Sequence, residues 1–253
     1  MELTLDFAWL EATMLAGVRM AAFVVIAPPF SYQGFPLRIK AILALGLALA
    51  VSPAVTPGYE VQSTSGFFTA LVLEVLTGAA LGFLVYLVFA AVQTAGALID
   101  LQSGFTMAQA FDPGQNVVGA QYTKLFNMTA VALMFTSDSY QLVVAGLARS
   151  FNALPVGSGI TLEADLLVAG VSQMFLAALQ IAGPLVVVLF LADAGLGLLT
   201  RVAPQLNAFA LGFPLKILIT LTMGVFVYLG LPGVVSALTD RALDLMGGAG
   251  ADG

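Results

Sequence analysis

Phe67–Ile99, FFTALVLEVLTGAALGFLVYLVFAAVQTAGALI, is an apolar run interrupted by a single charge, Glu74. About 20 apolar residues cross the hydrocarbon core of a bilayer. The run is therefore a membrane span with length to spare, and the excess calls for a tilt or a kink. Working outward, the charge-free window between Arg19 and Arg38 marks a span of roughly Leu10–Phe30, ended by Pro28-Pro29, and Ile39–Val55 gives the next, closed by Pro53 and Pro57. A proline lacks the N–H and clashes with the preceding turn, which makes it a helix stop. Glu60–Gly66 reads as a polar loop. Tyr122–Leu147 is interrupted by Thr136-Ser137-Asp138-Ser139, a pattern that suits two half-spans whose broken backbone is satisfied by surrounding protein. Leu166–Ala192 and Ile217–Leu238 complete the set.

The predicted fold is all-α: a polytopic membrane protein of about six long hydrophobic helices, some of them broken. No second domain or internal repeat is visible, so residues 1–253 read as a single integral-membrane domain. The N-terminus carries Glu2, Asp6 and Glu11 where a secretory signal would be basic, and no small-residue cleavage site follows.

Composition agrees. Hydrophobic residues make up 60% of the chain and charged residues 9%, with a mean hydropathy of +1.03. A water-soluble domain carries about a quarter of its residues as charges. The net charge of −6 gives no basic face for phosphates, so a nucleic-acid partner is not expected. Cysteine and histidine are absent, which removes disulfides, thiolate chemistry, the usual zinc sets and imidazole relays. We assign no catalytic, cofactor-binding or metal-binding residue. Loop charges give an orientation: Arg38, Lys40, Lys124, Arg201 and Lys216 fall on alternate loops, which places those loops in the cytoplasm and both termini outside. Arg149 and Arg241 are the exceptions.

Candidate functional residues are polar or small groups set in this apolar frame. Gly78 and Gly82 form a small-xxx-small stripe, read as close helix packing, with a sliding contact as the functional alternative. Glu74, Asp100 and Asp193 lie in or at the ends of apolar runs, where a charge normally faces a partner, a cavity or the interface. Glu74, two turns from a loop, is expected to reach water. Asp193 is expected to pair with Arg201, two turns on; a proton relay is the sharper alternative. Gln102, close to Asp100, joins the structural candidates.

Gly104–Gln121 (GFTMAQAFDPGQNVVGAQ) combines the turn signature Asp112-Pro113-Gly114 with apolar Phe105, Met107 and Phe111. It reads either as a loop that occludes a cavity or as a packed re-entrant connector, and the residues alone leave both open. Leu198–Lys216 brackets Gln205 and Asn207 between Pro204 and Pro214, as a buried break or bent helix pair would.

Three stretches together resemble the FliR family, a membrane subunit of the flagellar type III export gate. They are Arg19–Pro53, with Pro28-Pro29-Phe30, Pro36 and Lys40; Glu74–Pro113 (EVLTGAALGF…AGALIDLQSGF…FDP); and Asp193–Lys216 (DAGLGLLTRVAPQLNAFALGFPLK). The resemblance implies helical hairpins packed side by side in a spiral, assembled with related membrane subunits at the entry of the protein-export channel. It implies a bacterial inner-membrane location in the flagellar basal body and unfolded flagellar proteins as cargo. It also implies that Gly104–Gln121 projects into the channel as a plug, through Gly104, Phe105, Met107, Phe111, Asp112, Pro113 and Gly114. A virulence-type secretion homologue is the near alternative. A small secondary transporter is the alternative from another class, although the inverted halves common in transporters are not visible.

Overall fold

Helices begin and end where capping chemistry and proline dictate. A computed structural model describes residues 6–32, 34–106, 121–159, 164–203 and 208–248. Among these, α1 spans Phe7–Ile26, α2 Leu37–Val55, α3 Thr64–Ser103, α4 Gln121–Thr136, α5 Ser139–Ala153, α6 Ala164–Val202 and α7 Ala208–Gly248. No strand occurs among the described residues. Asp6 caps α1 by accepting from the backbone N–H groups of Ala8 and Trp9, at 3.0 and 3.3 Å. The helix stops at Ile26, just before Pro28-Pro29.

Helix α2 ends at Val55, where the sequence reading ended the span, and Pro53 lies inside its last turn. The carbonyl left without a donor by Pro53 belongs to Leu49, and the Ser52 hydroxyl donates to it at 2.9 Å. That substitute bond lets the proline sit inside the last turn.

Among the described residues five helices are long and apolar enough to cross a membrane, or six if the bent pair α4–α5 counts as one span. The expected break in the fourth span is present at Ser137–Asp138, with Asp138 in the left-handed region at φ 55°. Helices α3, α6 and α7 are 40, 39 and 41 residues long. The last two overrun their predicted spans because a charge-free window marks the hydrocarbon crossing and not the helix end. Asp193 and Lys216, which bounded those windows, both lie inside helices.

The chain divides into two compact units: residues 1–87, 137–170 and 238–253, and residues 88–136 and 171–237. In the first, Leu15, Ala16, Met20 and Phe23 of α1 are buried, as are Leu81 and Leu84 of α3 and Val143 and Leu147 of α5. A Cβ at Gly78 would press on the Arg19 carbonyl and come within 2.9 Å of the Ala22 Cβ, and one at Gly82 would lie 3.2 Å from the Phe23 carbonyl. The stripe therefore brings the α3 backbone onto α1. In the second unit, Ala91, Val92, Ala95 and Ile99 of α3 are buried together with Phe126 and Met134 of α4 and Ala178, Leu185 and Leu189 of α6. Large apolar side chains nonetheless stay exposed along α6 and α7, among them Phe175, Phe190, Leu218, Phe226 and Leu229. That is the surface of a chain whose outer solvent is lipid or other apolar helices.

Gly78→Val should separate α1 from α3 and destabilise the purified chain by about 1–3 kcal/mol. Gly46→Ala, where an added Cβ meets nothing within 4 Å, should leave thermal stability in mild detergent unchanged.

Candidate functional site

A buried charge inside an apolar helix is stable only when its hydrogen-bonding capacity is met. Arg19, in the middle of α1, is fully buried, and so is Glu74 of α3. The guanidinium grips the carboxylate with two bonds, Nε to Oε2 at 2.5 Å and Nη2 to Oε1 at 2.9 Å. Its remaining nitrogen, Nη1, donates to the Leu154 carbonyl at 2.9 Å and to Ser150 Oγ at 3.3 Å. The guanidinium also lies 4.0 Å from the centroid of the Phe151 ring. Glu74 Oε1 accepts a further bond from the Gly157 backbone N–H at 2.8 Å. One ion pair thus ties α1, α3, α5 and the turn after α5.

Glu74 does not reach water, contrary to the expectation from its place near a loop; Arg19 reaches it instead. The sequence reading treated Arg19 as the edge of an apolar window. Its position at the centre of a 20-residue helix was the signal that it needed a partner. Ser150, Phe151 and Gly157 carried no such signal.

A second polar arrangement gathers at the end of α3. Asp100 is fully buried. Its carboxylate accepts from the backbone N–H groups of Tyr122 and Thr123 at 2.9 and 2.8 Å and from the Thr123 hydroxyl at 2.7 Å. These are unpaired donors of the first turn of α4, where the helix dipole also favours a negative charge. Tyr122 in turn donates its hydroxyl to the Thr220 carbonyl of α7 at 2.9 Å. Gly104 has φ +87°, and a Cβ there would lie 2.7 Å from the Phe213 ring, so glycine is required on both counts. The Phe105 ring sits 6.1 Å from that of Tyr122. Residues 100–106 and 121–123 are thereby held side by side. Met107, Phe111, Asp112, Pro113 and Gly114 lie outside the described residues.

Asp193 does not pair with Arg201. Its Oδ1 meets Lys216 Nζ at 2.6 Å, and its Oδ2 accepts from Gln102 Nε2 at 3.1 Å. The chain reverses between α6 and α7, which brings Lys216 back beside Asp193, whereas Arg201 is carried beyond it and stays exposed. Val202, also at the end of α6, is 85% exposed. Pro204, Gln205 and Asn207 lie outside the described residues; Pro214 lies inside α7. With side-chain exposures of 41% for Asp193 and 18% for Lys216, this pair is partly solvated and weaker than Arg19–Glu74.

No group of three or more potential metal-ligating side chains occurs among the described residues. In the loop after α2, Tyr59 donates its hydroxyl to Glu11 Oε1 at 2.9 Å, and the Gln62 N–H donates to the same oxygen at 3.1 Å. Burial pushes the Tyr59 phenol above its ordinary value, reinforced by the Glu11 hydrogen bond and by the charges of Glu11 and Glu74.

Residues 10–242 match the family described as bacterial export proteins, family 1. The chain belongs to this family. Among its relatives, the flagellar biosynthetic protein FliR of Escherichia coli (strain K12) is 35% identical over 222 residues, covering 86% of this chain and 83% of the relative. FliR of Bacillus subtilis (strain 168) is 30% identical, covering 84% of each. The Yop proteins translocation protein T of Yersinia pestis is 31% identical, covering 82% and 81%. As a member of the bacterial export proteins with five to six apolar spans, the chain is a multi-pass membrane protein of a type III export apparatus.

Replacing Arg19 or Glu74 alone by Leu strands its buried partner and should cost about 3–5 kcal/mol. The double Arg19→Leu/Glu74→Leu chain should regain much of that loss, read from thermal unfolding in detergent. Asp100→Ala, which removes the cap of α4, should cost about 1–2 kcal/mol. Asp193→Asn should cost less than about 1 kcal/mol, and motility unchanged by it would dismiss a proton role for this carboxylate.

Proposed function

We propose that this chain is a non-enzymatic membrane subunit of the flagellar type III protein export gate, helping to form and close the entrance of the secretion channel. The observation that carries this reading is the family match over nearly the whole chain, with flagellar relatives up to 35% identical. In this reading residues 1–253 act as one export-gate domain in the bacterial inner membrane, within the flagellar basal body. Its partners are the other export-gate membrane subunits, and its cargo is unfolded flagellar protein. The wide apolar surface left exposed on α6 and α7 is consistent with a subunit completed by neighbouring helices.

Residues 104–121 serve as the channel plug in this proposal. Its support is the family resemblance together with the frame on either side. Asp100 binds the start of α4, and Gly104 packs under Phe213, so the entry and exit of the segment are held together. A gate plug needs a fixed root of this kind. Gln102, Asp193 and Lys216 serve beside it as assembly residues joining α3, α6 and α7.

A virulence-type secretion role is the second reading, favoured by the 31% identity to the Yersinia translocation protein. Deletion of the gene separates the two. Loss of motility and filament export with normal growth supports the flagellar gate; normal motility with loss of virulence-type secretion supports the other. Uptake of a small solute by proteoliposomes containing this chain alone would overturn both. Shortening residues 107–118 should make the assembled gate leak ions, and unchanged conductance with normal assembly would dismiss the plug.

A further inference from the structure

Charge is spread unevenly over the hairpin of α1 and α2. Between Glu11 and Glu60 the chain has no acid, and its only charged residues there are Arg19, Arg38 and Lys40. Arg19 is matched by Glu74. Tyr59 and Gln62 both bond Glu11, which gathers the start of α1, the loop after α2 and the two acids at one end of the hairpin. The helices run side by side, since a Cβ at Gly17 would lie 3.6 Å from that of Ala48. With 20 residues, α1 is about 30 Å long. Arg38 and Lys40 therefore stand at the far end from the acids.

Neither base is answered from within the chain. Arg38 is exposed and Lys40 half-buried, and neither side chain has an ion pair or hydrogen bond among the described residues. Both stand in the first turn of α2, where the positive end of the helix dipole disfavours a cation. Tyr32, Phe35, Leu37 and Ile39 are exposed around them, a mixture of rings, aliphatic side chains and bases suited to the water face of a bilayer. Further along α2, Ala44, Ala48 and Ser52 are buried. Ile42, Leu45 and Leu49 are exposed, on the helix face that Arg38 heads. From Arg38 to Leu49 this stripe runs about 16 Å. That is close to half of the ~30 Å hydrocarbon core, the depth of one leaflet.

A cation at the head of an apolar stripe one leaflet deep has the layout of a phospholipid, with phosphate above and acyl chain below. Two unanswered bases call for a headgroup with net negative charge, because a zwitterionic one brings its own cation. We propose that the turn between α1 and α2 binds an anionic phospholipid of the leaflet that loop charge assigns to the cytoplasm. Its phosphate is held by Arg38 and Lys40, and an acyl chain lies along Ile42, Leu45 and Leu49. The guanidinium fork suits a phosphate, and bases at the ends of spans are drawn to anionic leaflets. The assignment uses the membrane character of the chain and not its place in an export gate.

The test titrates the full chain in mild detergent with phosphatidylglycerol or phosphatidylcholine and counts bound lipid by native mass spectrometry. Phosphatidylglycerol should be favoured at least about fivefold. Arg38→Gln/Lys40→Gln should abolish that preference with helicity unchanged, since both bases lie outside the buried core. Arg241→Gln removes a base that has Asp240 beside it and Asp244 one turn on, and it should leave the preference intact. Glycerol phosphate, a headgroup without chains, should not displace the lipid. A phosphatidylglycerol with a diazirine in its acyl chain, photolysed in membranes that hold the chain with its co-expressed partners, should attach within residues 41–50. Full preference in the double variant, or equal loss in Arg241→Gln, overturns the assignment. So does displacement by glycerol phosphate, which would make the site one for free phosphate. Attachment confined to other helices overturns it as well, because protein would then cover the stripe.

Discussion

Hydrocarbon tolerates an ion only as a pair. Arg19 and Glu74 are each costly in an apolar helix, about 2.5–3.5 kcal/mol on insertion scales. They become acceptable together because the guanidinium fork and the carboxylate match in shape and charge. The remaining nitrogen of Arg19, Nη1, donates to Ser150 and to the Leu154 carbonyl. The arrangement dictates which surfaces of α1, α3 and α5 must meet. Gly78 and Gly82 then become necessary, because the α3 backbone has to come close enough to α1 for Glu74 to reach Arg19. Apolar contacts alone would permit these helices to slide; a two-pronged bond between fixed positions does not.

The same logic runs more weakly through the second unit. Asp100 spends its charge on the donors at the start of α4, and Asp193 divides its two oxygens between Lys216 and Gln102. One carboxylate therefore organises a helix start and the other joins three helices. The difference in solvation separates their roles. Asp100 is sealed, so its bonds define local geometry, whereas Asp193 is partly wet and its pair can exchange with water at small cost. These contacts hold residues 100–106 and 121–123, the two ends of the stretch to which we assign channel closure.

Prolines show how this chain reconciles broken backbone with an apolar setting. Pro53 is answered from within by Ser52, whereas Pro184 follows Gly183, which has no side chain to do the same. A subunit that is complete alone has reason to meet all such groups internally. One that is completed by its neighbours can leave apolar surface for them, such as the exposed Phe and Leu side chains of α6 and α7.

The sequence by itself determined the solvent and the class: scarce charges and long apolar runs require membrane helices, and ordered motifs pointed to the FliR family. It also located the break at Ser137–Asp138, because hydroxyls and an acid in mid-span compete for backbone bonds. Tertiary structure decided which charges meet. Arg19 and Glu74 are far apart in the chain, and no periodicity relates them. Asp193 chose Lys216 over the nearer Arg201 because the chain reverses between α6 and α7 and brings Lys216 back beside it. Local spacing predicts neighbours on one helix; pairing across helices depends on how backbones pack, and that is settled by glycine contacts and side-chain fit that a linear reading does not contain.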